Sequence, residues 1–174
     1  MDYIETIAYL HSLTDYEKTR VERYTPETLD LSRVERLLAA LGNPHTRFPA
    51  IHIAGTKGKG STAALCESSL RAAGYRTGFY TSPHLHTFRE RIQVAGQKIT
   101  RAEVVALVEE VRPVIERVSG VTTFEAVTAI GFLYFARAGV DVAVVEVGLG
   151  GRLDATNVLT PEVSVVTSLS LDHT

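Results

Sequence analysis

The sequence predicts an α/β fold, a mostly parallel wound sheet with helices on both faces. Two segments, "VDVAVVEV" and "EVSVVTSLSLD", are near-continuous apolar runs, the pattern of parallel strands covered on both faces. Segments with helical periodicity alternate with strand-like runs along the chain. With 174 residues and 45% hydrophobic content, the chain can bury the core of one domain or of a large piece of one.

The first predicted elements are a helix, a strand and a second helix. The first helix carries an apolar stripe at three-and-four spacing, formed by Val34, Leu37, Leu38 and Leu41. It is predicted to open at Thr25-Pro26 and to close at Gly42. The run "FPAIHIAG" predicts a buried strand, and "STAALCESSLRAAG" behind it predicts a helix that ends at Gly74.

The middle of the chain predicts a strand, a hairpin and two further helices. "RTGFYTS" is the strand, and "RIQVAGQKI" predicts a hairpin that turns at Ala95-Gly96. Thr100 and Glu103 form a capping box before the next helix, in which Pro113 is expected to cause a kink or a break. "FEAVTAIGFLYFARAG" is apolar nearly all round and predicts a buried helix.

Charge and composition exclude several function classes. A net charge of −2 gives no basic field, so we expect neither a nucleic acid nor a membrane surface as partner. Cys66 is the only cysteine, which excludes an internal disulfide. The segment "MDYIETIAYLHSL" lacks the charged start and apolar run of a signal peptide, so we expect a cytoplasmic protein.

The stretch "GTKGKGST" departs from the common phosphate-loop pattern G-x-x-x-x-G-K-[ST] but keeps its chemistry. Gly55, Gly58 and Gly60 bracket two lysines where a predicted strand meets a predicted helix. A tight strand-to-helix turn is the plain alternative, but backbone N–H groups at a helix start favour an anion. Lys59 supplies a point charge for phosphate, and Ser61 or Thr62 can bind an oxygen or a metal.

Glu146 ends the apolar run "DVAVVE", where an unpaired carboxylate is costly to bury. It either emerges into water at the strand end or binds a cation, and we favour Mg²⁺, with Ser82 as a second oxygen ligand. His173 is a weaker candidate, since a nitrogen ligand is unusual for magnesium and a histidine at a strand end is often a surface group.

Other polar segments have weaker or mixed interpretations. "GLGGRLDATN" crowds three glycines after Glu146 and predicts a ligand-facing loop. The plain alternative, an ordinary solvated connection, would not require three glycines so close to the predicted metal site. His84 and His86 suggest a zinc pair, but without a third ligand nearby two histidines are more often solvated. Arg89 and Arg91 belong either to a solvated face or to contacts with an anionic substrate.

Four ordered segments, "HIAGTKGKGST", "YTSPHLHTFRERI", "VEVGLGGRLDATN" and "SLDHT", closely resemble the folylpolyglutamate synthase and dihydrofolate synthase branch of the Mur ligase family. The resemblance covers essentially the whole chain. It implies a P-loop-containing ATP-binding domain in which G-T-x-G-K-G-[ST] is the normal loop. It also implies that ATP phosphorylates a substrate carboxylate and that glutamate attacks the acyl phosphate to form an amide.

The resemblance also implies roles for individual residues. ATP contacts fall on the phosphate loop, at Gly55, Thr56, Gly58, Lys59, Gly60, Ser61 and Thr62. The implied Mg²⁺ ligands are Ser82, Glu146 and His173. The implied catalytic residues are Lys59, Glu146 and His173. The pterin of dihydropteroate or a reduced folate falls on Asp30, Leu31, Ser32, Thr122, Thr123, Phe124, Glu125, Leu153, Asp154 and Ala155. Phe124 suits a planar pterin as an apolar or stacking partner.

Two departures from the family accompany the resemblance. Lys57 stands where the family usually has asparagine. Thr174 follows His173 where family members continue with a lysine, further ATP-domain strands and a C-terminal glutamate-binding domain. We therefore expect residues 1–174 to form the N-terminal part of the ATP-binding domain and to be inactive alone. The full-length enzyme is expected to be a monomer.

Two other functions remain open at this stage. A P-loop module that switches or regulates needs a nucleotide but no pterin. A ligase of peptidoglycan precursors belongs to the sister branch, for which "GLGGRLDATN" is a poor match. Whether the acceptor is dihydropteroate, folylpolyglutamate or both does not follow from these residues.

Overall fold

A computed structural model describes residues 1–14 and 30–170. Six strands form one sheet in the order β4-β3-β2-β5-β1-β6. Strands β2, β5, β1 and β6 run parallel, and β3 and β4 are antiparallel additions at one edge. The strands are β1 (Ala50–Ala54), β2 (Thr77–Tyr80), β3 (Ile92–Val94), β4 (Gln97–Lys98), β5 (Val142–Glu146) and β6 (Val163–Val166).

Helices lie on both faces of the sheet, as predicted. They are α1 (Tyr3–Ser12), α2 (Leu31–Ala40), α3 (Lys59–Ala72), α4 (Arg101–Ile115) and α5 (Thr123–Ala138). Alternate residues of β5 separate the two sides: Ala143 and Val145 join the large core with α1, α2, α4 and α5. Val144 joins a smaller cluster on the α3 side. No helix of the described residues is long and apolar enough to cross a membrane.

The predicted hairpin and the buried helix are confirmed. Ala95 and Gly96 turn between β3 and β4 with positive φ angles of 49° and 73°. This left-handed pair is the geometry that a two-residue hairpin turn requires. Most residues of α5 are buried, which explains its lack of a polar face.

Three helix boundaries differ from the predictions. Helix α2 begins at Leu31 because Asp30 caps it, accepting a 2.9 Å hydrogen bond from the Ser32 amide; the predicted opening at Thr25-Pro26 lies outside the described residues. Helix α3 begins at Lys59, two residues before the predicted start. Helix α4 is not broken at Pro113 and continues to Ile115, because Val111 and Ile115 are buried and hold the last turn against the core; a kink at Pro113 stays a prediction.

Strand β6 is not covered on both faces, which contradicts the prediction for "EVSVVTSLSLD". It is an edge strand that pairs with β1 alone among the described strands. Val163 and Val166 are 49% and 59% exposed. An apolar edge strand of this kind is a surface that usually has a partner.

Candidate active site at the strand ends

The carboxyl edge of the parallel strands gathers the predicted phosphate loop, Ser82 and Glu146. The loop follows β1, Ser82 lies two residues after β2, and Glu146 is the last residue of β5. Because β5 lies between β1 and β2, all three meet at one place. Ile53 of β1 is directly beside Glu146 in the register of the sheet. This is the edge at which open α/β sheets bind ligands.

The phosphate loop leaves the N-terminus of α3 open. Gly58 is the N-cap residue, with a left-handed φ of 83°, and it makes no side-chain cap. By contrast, side-chain oxygens cap the other four α-helices of the described residues, supplied by Asp2, Asp30, Thr100 and Thr122. The first-turn N–H groups of α3 therefore have no side-chain acceptor at the cap, and its first turn has no acidic residue. A helix start of this kind suits a phosphate.

Hydrogen bonds to the end of β6 hold the loop. The Thr56 amide donates to the Ser168 carbonyl at 2.7 Å, and the Thr167 hydroxyl donates to the Lys57 carbonyl at 2.8 Å. Gly55 has a φ of 136°, and a β-carbon there would collide with the Thr167 hydroxyl. The side chain of Lys57 is exposed, and Lys59 is half-buried at the start of α3.

Glu146 is buried beside the loop and does not emerge into water. Its side chain is 5% exposed. Oε2 accepts hydrogen bonds from the Thr81 hydroxyl and, at 3.2 Å, from the Ser82 amide. A β-carbon at Gly60 would lie 3.3 Å from Oε1. The carboxylate therefore lies directly against the first turn of α3.

The donor set beside the loop fits a magnesium ion that also binds phosphate. Among the described residues, no three His, Cys, Asp or Glu side chains cluster as a metal site. Mg²⁺ needs only one or two carboxylates when substrate phosphates and waters complete its shell, and Glu146 with Ser82 meets that need. His173, the third predicted ligand, lies outside the described residues.

The two histidines considered for zinc have other contacts. Arg91 donates from Nε to Nδ1 of His84 at 2.9 Å. His86 is exposed and lies 3.9 Å from Glu90. Arg91 itself is 7% exposed, so it is not part of a solvated face.

The three segments predicted to bind the pterin lie together on the α5 side of the sheet. Each is the start of a helix: α2, α5 and a 3₁₀ helix at Ala155–Val158. These three helices pack against one another. The structure thus brings together residues that are more than 120 positions apart in the sequence, namely Asp30, Leu31, Ser32, Thr122, Thr123, Phe124, Glu125, Leu153, Asp154 and Ala155.

A buried ion pair joins the starts of α2 and α5. Arg33 donates from Nε to Oε1 of Glu125 at 3.1 Å, and its Nη2 lies 3.0 Å from the same oxygen. Glu125 also accepts from the Thr122 amide at 2.7 Å. The Thr123 hydroxyl donates to the Leu10 carbonyl at 2.9 Å. Thr122, Thr123 and Glu125 are thus tied into the fold, whatever they also contact in a ligand.

Phe124 connects the predicted pterin region to the Glu146 side of the site. Its ring is half-buried and meets Tyr80 edge-on, with 6.2 Å between ring centroids. A β-carbon at Gly148 would lie 2.5 Å from Cζ of Phe124. Because Gly148 follows Glu146 by two residues, the two halves of the site meet here.

Asp154 is buried and holds its own loop. Oδ1 accepts from the amide and hydroxyl of Thr156, and Oδ2 accepts from the Leu149 amide at 2.9 Å. Burial raises the pKa of this carboxyl, and the hydrogen bonds it accepts act in the opposite direction. A direct contact between Asp154 and a pterin stays a prediction.

Sequence reasoning missed several residues that shape the site. Thr81 stands beside Ser82 at a strand end, a position that marks it as a candidate. His52 interrupts the apolar strand β1, and a polar residue in such a run was a usable signal. Thr167 and Ser168 carried no comparable signal, because their contact with the loop depends on β6 lying next to β1.

No protein-family model matches the chain. Curated relatives do match: it is 45% identical over 179 residues to a folylpolyglutamate synthase of Lacticaseibacillus casei, covering 99% of this chain and 40% of that one. It is 46% identical over 149 residues to a dihydrofolate synthase/folylpolyglutamate synthase of Bacillus subtilis, covering 82% and 35%. The chain thus spans about two fifths, or less, of the length of these relatives.

Solved structures give the same result. A folylpolyglutamate synthase in complex with AMPPCP and folate matches with a TM-score of 0.90 at 43% identity, covering 100% of this chain and 42% of that one. The Mycobacterium tuberculosis folylpolyglutamate synthase complexed with ADP matches with a TM-score of 0.87 at 39% identity, covering 98% and 37%. In sequence and in fold, the chain belongs to the folylpolyglutamate synthase and dihydrofolate synthase family.

Proposed function

We propose that the protein containing this chain is an ATP-dependent amide ligase that adds L-glutamate to dihydropteroate, to folylpolyglutamate or to both. The observation that carries the proposal is the contact between Gly60, at the open start of α3, and the buried carboxylate of Glu146. On the other side of the same strand ends, Phe124 meets Gly148. The proposed phosphate site and the proposed acceptor site therefore adjoin.

The proposed reaction has two steps. An oxygen of the acceptor carboxylate attacks the γ-phosphorus of ATP, the bond to the bridging oxygen breaks, and ADP leaves. The amino nitrogen of glutamate then attacks the acyl carbon, phosphate leaves with the electrons of the C–O bond, and the nitrogen loses a proton. Phosphoryl transfer of this kind depends mainly on positioning and electrostatic stabilisation.

Each half of the site has a task in this proposal. The amides of Gly58, Gly60 and Ser61, with the Lys59 ammonium, hold the phosphates at the start of α3. Thr56 and Thr62 lie on either side of these residues in the loop. Glu146 and Ser82 would hold Mg²⁺, and the ion would supply positive charge that neutralises the phosphates. His173 remains the predicted third ligand.

Two alternatives are not favoured. A nucleotide-dependent regulatory module would need no acceptor site. The relatives of this chain are named as synthases, and this favours a ligase over a regulatory module. A peptidoglycan ligase is not named among the relatives and structures described above. We also propose that residues 1–174 are the N-terminal part of an ATP-binding domain, followed by a glutamate-binding domain, and that the full-length enzyme is a cytoplasmic monomer that binds neither nucleic acid nor membrane.

The test is a glutamate ligation assay on the full-length protein with ATP, Mg²⁺ and each acceptor in turn. We expect glutamate-dependent release of ADP and a product one glutamate longer. Glu146→Gln keeps the side-chain volume and removes the charge, so we expect the fold to persist while Mg²⁺-dependent turnover is lost. A wild-type protein that hydrolyses ATP with neither acceptor dependence nor glutamate incorporation contradicts the proposal.

A further inference from the structure

His52 is a buried polar residue on the strand that leads into the phosphate loop. It is 8% exposed, and its side chain lies on the α5 side of β1. Nε2 lies 2.7 Å from the hydroxyl oxygen of Thr156, which belongs to the 3₁₀ helix after the glycine-rich loop. A buried imidazole in an apolar strand is costly unless it makes such a bond.

Each hydrogen bond in this series is donated toward Asp154. Asp154 Oδ1 already accepts from the Thr156 amide at 2.9 Å, and as a carboxylate it also accepts from the Thr156 hydroxyl. The hydroxyl has donated its proton, so its oxygen accepts from His52, whose Nε2 carries the hydrogen. Burial lowers the pKa of His52, which agrees with a neutral ring.

His52, Thr156 and Asp154 form a series of side-chain hydrogen bonds from β1 to the far part of the segment Gly148 to Asn157. Just before that segment, the Val147 amide donates to the Ile53 carbonyl of β1 at 2.9 Å, which is a separate backbone link. At one end, β1 passes from His52 to Gly55 within three residues. At the other end, Asp154 holds both sides of the loop by binding the amides of Leu149 and Thr156. That loop contains Gly148, which contacts Phe124 of the predicted acceptor region.

We propose that His52 and Thr156 are positioning residues that set the acceptor loop, Gly148 to Asn157, relative to the phosphate loop. The inference rests on the proposed function for its consequence in turnover, but the hydrogen-bonded link itself is independent of any ligand. Neither residue need touch a substrate. They act through Asp154, whose two oxygens position the loop backbone.

The link predicts a selective kinetic defect. If Thr156 loses its hydroxyl, Asp154 loses one donor and the acceptor loop loses its side-chain link to β1, while the backbone bond from Val147 to Ile53 remains. The phosphate loop keeps its separate bonds to Ser168 and Thr167 at the end of β6. We therefore expect the KM for the acceptor to rise while the KM for ATP changes little.

The experiment compares matched variants of the full-length protein: Thr156→Val with Thr156→Ser, and His52→Leu with His52→Gln. Ser keeps the hydroxyl and Gln keeps an N–H donor. We expect Thr156→Val and His52→Leu each to raise the acceptor KM by roughly tenfold, the scale of one lost hydrogen bond to a charge-linked group. The conservative partners should recover most of the loss, and the double variant should be no worse than the stronger single one.

Equal changes in both KM values, or additive effects in the double variant, would overturn the positioning role. Melting curves distinguish a selective effect on the acceptor KM from a general loss of stability. A loss of stability would lower the folded fraction of the protein and so affect turnover with respect to both substrates alike. Should the wild-type protein fail to ligate glutamate, the proposed function fails, and amide hydrogen exchange at Leu149 and Thr156 still tests the link. Faster exchange in Thr156→Val but not in Thr156→Ser supports it, and unchanged exchange in both refutes it.

Discussion

Glu146 and Gly60 lie so close that a side chain at position 60 would crowd the carboxylate. A β-carbon would lie 3.3 Å from Oε1 and 3.4 Å from Oε2 of the carboxylate. On its other side the carboxylate is held by Thr81 and the Ser82 amide. The carboxylate thus has little room to move away from α3.

Gly60→Ala is expected to reduce Mg²⁺-dependent turnover with little change in melting temperature. Alanine is the better helix former by about 0.5–1 kcal/mol, which offsets the tight contact, but the carboxylate must move to admit the methyl group. A magnesium titration of turnover beside thermal melting checks this. A variant with the wild-type magnesium response would show that the carboxylate position does not matter.

Lys59→Ala is expected to lower kcat in the full-length protein by roughly 10²–10³-fold, the range for loss of one preorganised charge-stabilising donor. The loss should persist at saturating ATP, because the charge acts on phosphoryl transfer as well as on binding. Lys57→Ala removes the same charge from an exposed side chain two residues earlier and should cost much less. Comparable losses of kcat in the two variants would show that Lys59 has no special role in phosphoryl transfer.

At the residue scale, the sequence identified groups whose chemistry is unusual for their surroundings. Glu146 at the end of an apolar strand and glycines around two lysines were visible without a structure. Thr81 was marked only by its position beside Ser82, and Thr156 was not marked at all, because a threonine is common in any context and its role depends on which group lies within hydrogen-bonding distance. His52 was visible as an anomaly, but its partner is more than 100 residues away.

Among the elements, the segment after β2 is organised by one carboxylate. Glu90 accepts from the amides of Leu85 at 2.8 Å and of His86 and Thr87 at 3.2 Å. These bonds, first of all the one from Leu85, lower the pKa of Glu90 from 4.5 to about 2. Glu90 thus fixes the backbone from Leu85 to Thr87, which begins three residues beyond Ser82, whose amide binds Glu146.

Glu90→Gln is expected to destabilise the protein in a pH-dependent way. The carboxyl has a lower pKa in the folded state, so its contribution is fully present above its unfolded value near 4.5 and is lost as the pH falls toward about 2. The difference in unfolding free energy between wild type and variant should therefore shrink on acidification. Urea denaturation at several pH values measures it, with the exposed Glu35→Gln on α2 as the control for one lost charge.

Element prediction succeeded where the local signal agrees with the fold. The hairpin at Ala95-Gly96 and the buried helix α5 are examples. The break allowed for at Pro113 does not occur, because burial of Val111 and Ile115 outweighs one missing backbone hydrogen bond, and a kink there stays a prediction. Element prediction failed for β6, since an apolar run indicates a strand but not whether that strand lies at the centre or the edge of a sheet.

For the molecule as a whole, the exposed edge at β6 has a testable consequence. Val166 is 59% exposed and Leu169 is 78% exposed. We expect the 174-residue chain to self-associate through this edge, because unpaired apolar strands recruit other strands.

Val166→Lys should reduce this association, since a charge on an edge strand opposes pairing. Gln97→Lys adds the same charge on β4, at the opposite edge, and should not. Light scattering after gel filtration at several concentrations measures the effect. A wild-type chain that stays monomeric at every concentration would contradict the prediction.

The order of strands could not be obtained from the sequence. Chain order gives six strands, but β5 inserts between β2 and β1, and that insertion is what places Glu146 beside the phosphate loop. The fold class and the edge at which ligands bind follow from the alternation of strands and helices. The pairings at that edge depend on contacts between distant segments.

Val145 and Glu146 are neighbours in the chain, yet Val145 belongs to the α5 side of the sheet and Glu146 lies against α3. Side chains along a strand alternate between its faces, so β5 contributes side chains to both the α5 side and the α3 side of the sheet. On the proposed function, substitutions on the α5 side would change which acceptor binds and would leave the phosphate loop and Glu146 unchanged. A change of acceptor preference in such a fold would therefore need substitutions on the α5 face of the sheet alone.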